Sequence, residues 1–277
     1  MQPRPQRRGF GGGRILIALA VAAFSLISYY SAREYNPVTD EVQHVDLRPE
    51  QEIALGLQAA PQMAEQHGGL HPDQEAQSVV DRICARLVSS TAAKETAYRF
   101  ECHVLADEET INAFALPGGQ VFMTAGLLKR LRSEGQVAGV LGHEIGHVVA
   151  RHGAEHMAKA RLTQGLTGAA VLATYDPNDP SSRGSAAVAA LIGQMVNMRF
   201  GREDELESDR LGVRFMAEAG YDPRSMVEVM KVLAEAGGSG RQPEFFSTHP
   251  NPDRRIERIE QAIAETFPQG IPGDLQS

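Results

Sequence analysis

The first regularity along the chain is an apolar run. From Ile15 to Tyr30 only Ser25 and Ser28 interrupt it, and it closes on Tyr29 and Tyr30. A bilayer core takes roughly 20 apolar residues, so the run lies near the short limit for a spanning helix. Residues 33–48 lose all sustained period and contain Asn36-Pro37, which predicts a linker. Helical spacing returns over 48–66, with a break or kink predicted near Pro61, and over 74–90, where Val80, Ile83, Cys84 and Leu87 share a face. Phe100, Cys102 and Val104 then alternate with polar neighbours, as in a half-buried strand. "INAFALPGGQVFMT" predicts two short strands around the turn Pro117-Gly118-Gly119, and "AGLLKRL" a helix. Ser133 with Gln136 three residues later forms a capping-box start for a helix through "GVLGHEIGHVVARH". Beyond it, 161–174 and 185–198 pattern as two apolar helices separated by "YDPNDPSSRG". An acidic-to-amphipathic helix over 202–219 stops at Gly220, and two more follow at 223–236 and 252–266. The sum is a mostly helical α+β protein with a small sheet.

Composition sharpens the N-terminus most. Residues 1–14 carry Arg4, Arg7, Arg8 and Arg14 with no acid, which holds this end in the cytoplasm and sends the chain beyond residue 33 across the membrane. A cleaved secretory signal wants small residues at the cut site and three before it. Cutting after Ala32 or Ser31 would put Tyr30 or Tyr29 in the second of those positions. An uncleaved anchor is therefore preferred, with a cleaved signal and a soluble exported domain as the alternative. The predicted organisation is a basic tail at 1–14, an anchor at 15–32, a linker at 33–48 and one domain at 49–277. The net charge of −8, with no basic stripe, argues against a nucleic-acid partner. Cys84 and Cys102 could form a disulfide in an exported domain, but the helical face around Cys84 favours a packed thiol.

His143 and His147 stack on one helical face one turn apart, so both imidazoles can reach one ion. Glu144, about 100° further round, can contact a water at that ion. A metal lowers the pKa of such a water to about 7, and a glutamate can take its proton for attack on a peptide carbonyl. The competing reading is a pair of packed structural histidines. Gly139, Gly142 and Gly146 weigh against it: each costs about 1 kcal/mol relative to alanine within a helix, and close approach of another backbone is the reason such a stripe suggests.

Two histidines leave the site incomplete. The pattern His-Glu-x-x-His-x-x-Gly-x-x-His is excluded, because Ala150 and Gly153 stand where its glycine and third histidine belong. The other known arrangement takes a glutamate from a later helix, and "GREDELESDRLG" is the strong candidate. Acids in a first turn suit the helix dipole, but Glu205 and Asp209 form a like-charged i, i+4 pair that a nearby cation would turn favourable. Glu205 as ligand, with Asp209 accepting from the far nitrogen of a ligating histidine, would use both. Glu207 points about 200° away from Glu205 and cannot share that role.

HEIGH followed by ELESD, preceded by "NAFALPGG" and followed by "FFSTHPNPDRRIERI", resembles the HtpX/Ste-type membrane-associated zinc endopeptidases of peptidase family M48, closest to single-anchor bacterial exported members. The resemblance covers roughly 49–266. It implies a gluzincin-type metalloprotease domain in which His143, His147 and Glu205 bind one zinc ion, Glu144 is the general base and Asp209 supports a ligand. It further implies that Asn112, Ala113 and Phe114 lie in an edge strand that pairs with an extended substrate, and that His249 is a fourth ligand at rest or an oxyanion donor. His152 and His156 read as structural or rim residues. The resemblance implies single-pass anchoring in a bacterial inner membrane, with the catalytic domain periplasmic and acting on unfolded or misassembled envelope proteins. A zinc-containing chaperone or assembly factor with a latent site is the competing function, which an intact Glu144 disfavours. An aminopeptidase is weaker, since no Gly-x-Met-Glu-Asn motif is present. Oligomeric state is not legible.

Overall fold

A computed structural model describes residues 11–174, 200–237, 243–251 and 254–277. The apolar run forms helix α1 (Gly11–Ser31), whose stretch Gly13–Ser31 is long and apolar enough to cross a membrane. Within 33–48, strands β1 (Arg33–Asn36) and β2 (Glu41–His44) pair as a two-stranded ribbon. Neither strand alternates apolar and polar residues, so period alone gave no sign of them.

The chain divides into two compact units. The first comprises Met1–Tyr35, Val42–Asp46 and Glu155–Met198. In its described part, the Val45 N–H donates to the Ala32 carbonyl at 2.9 Å and the His44 ring stacks on Tyr29. Helix α6 (His152–Thr174), which enters this unit at Glu155, places Gly165 so close to Ser25 of α1 that a Cβ there would clash. The apolar helix read at 185–198 lies outside the described residues.

The second unit contains the remaining elements. Its sheet has three strands, β3 (Glu101–Leu105), β4 (Ala113–Ala115) and β5 (Gln120–Thr124), in the order β3-β5-β4. Strand β5 runs parallel to β3 and antiparallel to β4. Helix α2 (Pro49–Gln66) covers one face, packing Ala59, Ala60, Met63 and Ala64 against Leu105, Phe114, Leu116 and Phe122. It runs unbroken through Pro61, because Pro61 and Leu57 lie on the solvent side, where water can serve the carbonyl that loses its donor. Helix α3 (Gln74–Ser90) starts on Asp73, whose Oδ1 accepts from the N–H groups of Glu75 and Ala76, and it buries the predicted face. The reading of Cys84 as a free thiol is corrected: Cys84 and Cys102 are joined as a disulfide between α3 and β3. Both predicted faces were apolar and inward, and a half-cystine satisfies that pattern as well as a thiol does.

After the short helix α4 (Ala125–Leu128), helix α5 (Glu134–Val149) begins at Ser133, whose Oγ accepts from the Gln136 N–H at 3.3 Å. The Gln136 side chain reaches the Arg132 N–H instead of completing a box on Ser133. Every residue of α5 from Gly135 to Val149 is buried, as its all-round apolar character demands. Helix α7 (Arg202–Glu218) lies against it, followed by α8 (Arg224–Gly237), the short α9 (Phe245–Thr248) and α10 (Arg255–Thr266). At the end of α5, Arg151 turns the chain with a left-handed φ of 56°. Its buried guanidinium donates to Glu52 and to the Leu47 carbonyl, while Asn36 Nδ2 donates to the Val149 carbonyl.

Candidate metal centre

Two buried helices supply most of the site because they touch backbone to backbone. An added Cβ on Gly142 would meet Gly212 of α7 at 3.5 Å, and one on Gly146 would meet Ser208 Oγ at 2.9 Å. Gly139 instead faces the Met226 side chain. Ser208 Oγ donates to the His143 carbonyl at 2.9 Å, which helps fix the register of the two helices. That register brings the "HEIGH" and "ELESD" segments together.

His143 Nε2 and His147 Nε2 lie 3.0 Å apart, and Glu205 Oε1 is 3.3 Å from the latter. Glu205 Oε2 is 3.5 Å from His143 Nε2. His249, just beyond α9, places Nδ1 3.0 Å from Glu205 Oε1 and 3.4 Å from His143 Nε2. One ligand atom from each of these four buried residues lies within 4.8 Å of the others. Glu144 is fully buried, and its Oε1 is 3.5 Å from His249 Nε2. Phe200 stacks on the His147 ring with centroids 4.0 Å apart.

Behind His143, Asp209 Oδ1 meets Nδ1 at 2.9 Å. Arg255, which the sequence reading missed, grips Asp209 bidentately with Nε at 2.7 Å and Nη2 at 2.8 Å, and places Nη1 3.1 Å from Glu205 Oε2. Glu207 faces away from Glu205, as the helix geometry required, and pairs with His152 at 2.9 Å. His152 is buried, and its Nδ1 is 2.8 Å from His147 Nδ1.

Strand β4 is an edge of the sheet, alongside α5. The Asn112 carbonyl accepts from the Thr124 N–H and the Leu116 N–H donates to the Gln120 carbonyl, so both face β5. Antiparallel alternation then turns the backbone groups of Ala113 and Ala115 to the outer edge. Phe114 packs its ring on Phe122 at 5.1 Å, and Asn112 Nδ2 donates to Glu244.

Comparison with known proteins agrees with this geometry. Residues 73–263, well over half of the chain, match the sequence profile of Peptidase family M48. The chain belongs to peptidase family M48. The M48 chain is similar to the mitochondrial metalloendopeptidase OMA1 of Schizosaccharomyces pombe, 29% identical over 270 residues, covering 95% of this chain and 75% of that protein. It is 34% identical over 188 residues to the beta-barrel assembly-enhancing protease of Escherichia coli. That match covers 64% of this chain and only 37% of the relative. The OMA1 of Arabidopsis thaliana is 35% identical over 159 residues, 57% of this chain and 31% of that protein. The protein is thus a metalloendopeptidase by family, and the buried cluster fits a metal.

The donor set itself passes that test. Both Glu144 oxygens and His249 Nε2 are buried without a hydrogen-bond partner among the described residues, while Glu205 Oε2 is held by the charge of Arg255 Nη1 at 3.1 Å. Orphaned charged oxygens in an interior are costly, and a divalent ion with its water would satisfy them. Imidazole and carboxylate donors suit a first-row divalent ion, zinc included. Burial alone would lower the His143 pKa, but hydrogen bonds and charge from Asp209 and Glu205 outweigh it and push it up to about 9. Burial drives His147 well below its ordinary value. Burial would raise Glu205, yet hydrogen bonds from His143, His147 and His249 hold it far below the usual carboxylate range. Burial raises Glu144, in keeping with a group that exchanges a proton.

Proposed function

We propose that the protein is a zinc-dependent endopeptidase, held at a membrane by α1, that hydrolyses misfolded or misassembled envelope proteins. His143, His147 and Glu205 would hold the ion. When bound, it supplies Lewis acidity to the peptide carbonyl and acidity to a water. Glu144 takes the proton of that water and passes it to the leaving amine. His249 Nε2 donates to the oxygen that gains charge, or its Nδ1 adds a fourth donor at rest. An extended substrate pairs with the outer edge of β4 through Ala113 and Ala115. The carrying observation is the four donor atoms within 4.8 Å with the unpartnered Glu144 carboxylate beside them. Domain limits of 49–277 for the protease, an N-terminus in the cytoplasm and a periplasmic site belong to the same proposal. It is supported by Arg4, Arg7 and Arg8 before α1 with Arg14 in its first turn, and by the relative whose name denotes β-barrel assembly enhancement.

His249 inside the donor cluster favours a second reading, a chaperone or assembly factor whose site is latent. Full-length protein in detergent, tested on an unfolded protein substrate with and without chelator, separates them. Glu144→Gln should retain zinc and lose about 10²–10⁴-fold in cleavage, while Glu205→Ala should lose both. Undiminished cleavage by Glu144→Gln would end the catalytic reading. No cleavage by wild type, with zinc bound, would favour the latent site.

A further inference from the structure

The two ligating histidines are backed differently. Behind His143 stands the Asp209 carboxylate. Behind His147, among the described residues, stands another imidazole: His152 Nδ1, 2.8 Å from His147 Nδ1. A hydrogen bond between two ring nitrogens needs one donor and one acceptor, so the tautomers of the two rings are locked together. The far nitrogen of His152, Nε2, lies 2.9 Å from Glu207 Oε2, and a carboxylate only accepts. A neutral His152 therefore carries its proton on Nε2 and presents a lone pair at Nδ1. His147 must donate from Nδ1, which leaves its Nε2 lone pair directed at the point shared with His143 and Glu205.

We propose that Glu207 and His152 form a positioning relay that fixes His147 in its metal-binding tautomer and ring orientation. The inference rests on His147 being a metal ligand. His152 opens α6 and Glu207 lies on α7, so the pair could instead be a plain helix-to-helix tie. The two roles differ in what a substitute can restore. The Oδ1 of an asparagine at 152 can accept the His147 Nδ1 proton, whereas a phenylalanine fills the space and accepts nothing.

The test measures zinc affinity of the full-length protein by competition with a chromophoric chelator, beside thermal unfolding in excess chelator. His152→Phe should lose about 10–100-fold in zinc affinity, the usual effect of removing a ligand's outer partner. His152→Asn should regain most of it. Glu207→Leu should weaken zinc while unfolding in chelator at the wild-type temperature, and it decides the matter if His152→Phe does not fold. In metal-free protein, ring nitrogen NMR shifts should report the Nδ1–H tautomer of His147 in wild type and its loss in His152→Phe. Wild-type zinc affinity in His152→Phe or Glu207→Leu, or equal weakness of the asparagine and phenylalanine variants, would overturn the relay. Glu205→Ala serves as control: if it too keeps wild-type affinity, the metal site itself is misread. If it alone loses zinc, only the relay falls.

Discussion

Arg255 is a buried cation paired with two of the acids of the site, Asp209 and Glu205. Removing one partner of a buried ion pair leaves an uncompensated charge and typically costs about 3–5 kcal/mol. Arg255→Met should therefore lower unfolding free energy by about that amount in urea with chelator present. Added zinc should recover part of the loss, because the ion binds only the folded state. A loss below about 1 kcal/mol would mean the carboxylates are served by other groups. The acids and histidines of the site were legible, since i, i+4 spacing and chemistry mark His143, His147, Glu205 and Asp209. Arg255 was not. In "DRRIERI" Arg254, Arg255 and Arg258 look alike, and only tertiary partners bury one while its neighbour stays exposed.

At the scale of elements, the contact between α5 and α7 decides whether the ligands meet. An alanine Cβ at 142 would sit 3.5 Å from Gly212 Cα, an ordinary contact, whereas one at 146 would press on Ser208 Oγ at 2.9 Å and the Ser208 carbonyl at 3.1 Å. Crowding a packed interface costs about 1–3 kcal/mol, against a gain of about 1 kcal/mol in helix propensity. Gly146→Ala should thus lower the urea midpoint, and Gly142→Ala should leave it unchanged or raise it. The reverse order would show that the helices separate freely. The glycine stripe was readable as a close approach, although the approaching residue was not, because Gly212 sits in a helix whose acids draw attention first. Helix α2 ran through Pro61 because exposure removed the penalty that a sequence rule assumes. The disulfide was ranked behind a packed thiol for a different reason. Cys84 and Cys102 were each placed on an inward face, but pairing depends on how α3 lies on β3, which neither period records.

Across the second unit as a whole, carboxylates held below their ordinary values sit at separate joints. Asp107, in the loop after β3, would be raised by burial, but hydrogen bonds from Thr110, His67 and the Glu109 backbone outweigh this and lower it to about 2. Glu134, at the start of α5, is lowered by Arg82; Asp222, before α8, is raised by burial but lowered more by Arg224. Asp209 on α7 is lowered because Arg255 and His143 outweigh its burial. For each group the unfolded chain takes up protons at a higher pH than the folded one. Their stabilisation is complete above ordinary carboxylate values near 4 and is lost as pH falls through each folded value. Glu144, raised by burial, acts in the opposite direction: its contribution is present in acid and lost as pH rises. These four, joined by Glu205, which is also held low, outnumber it, so the unit should lose stability progressively between about pH 4 and pH 2. Asp107→Asn removes one titrating group from that window without touching the metal centre. Urea unfolding at fixed ionic strength, repeated across that range in chelator, should give a shallower loss for the variant than for wild type. Parallel curves would mean that the Asp107 hydrogen bonds to Thr110 persist in the unfolded chain or carry no linkage to folding.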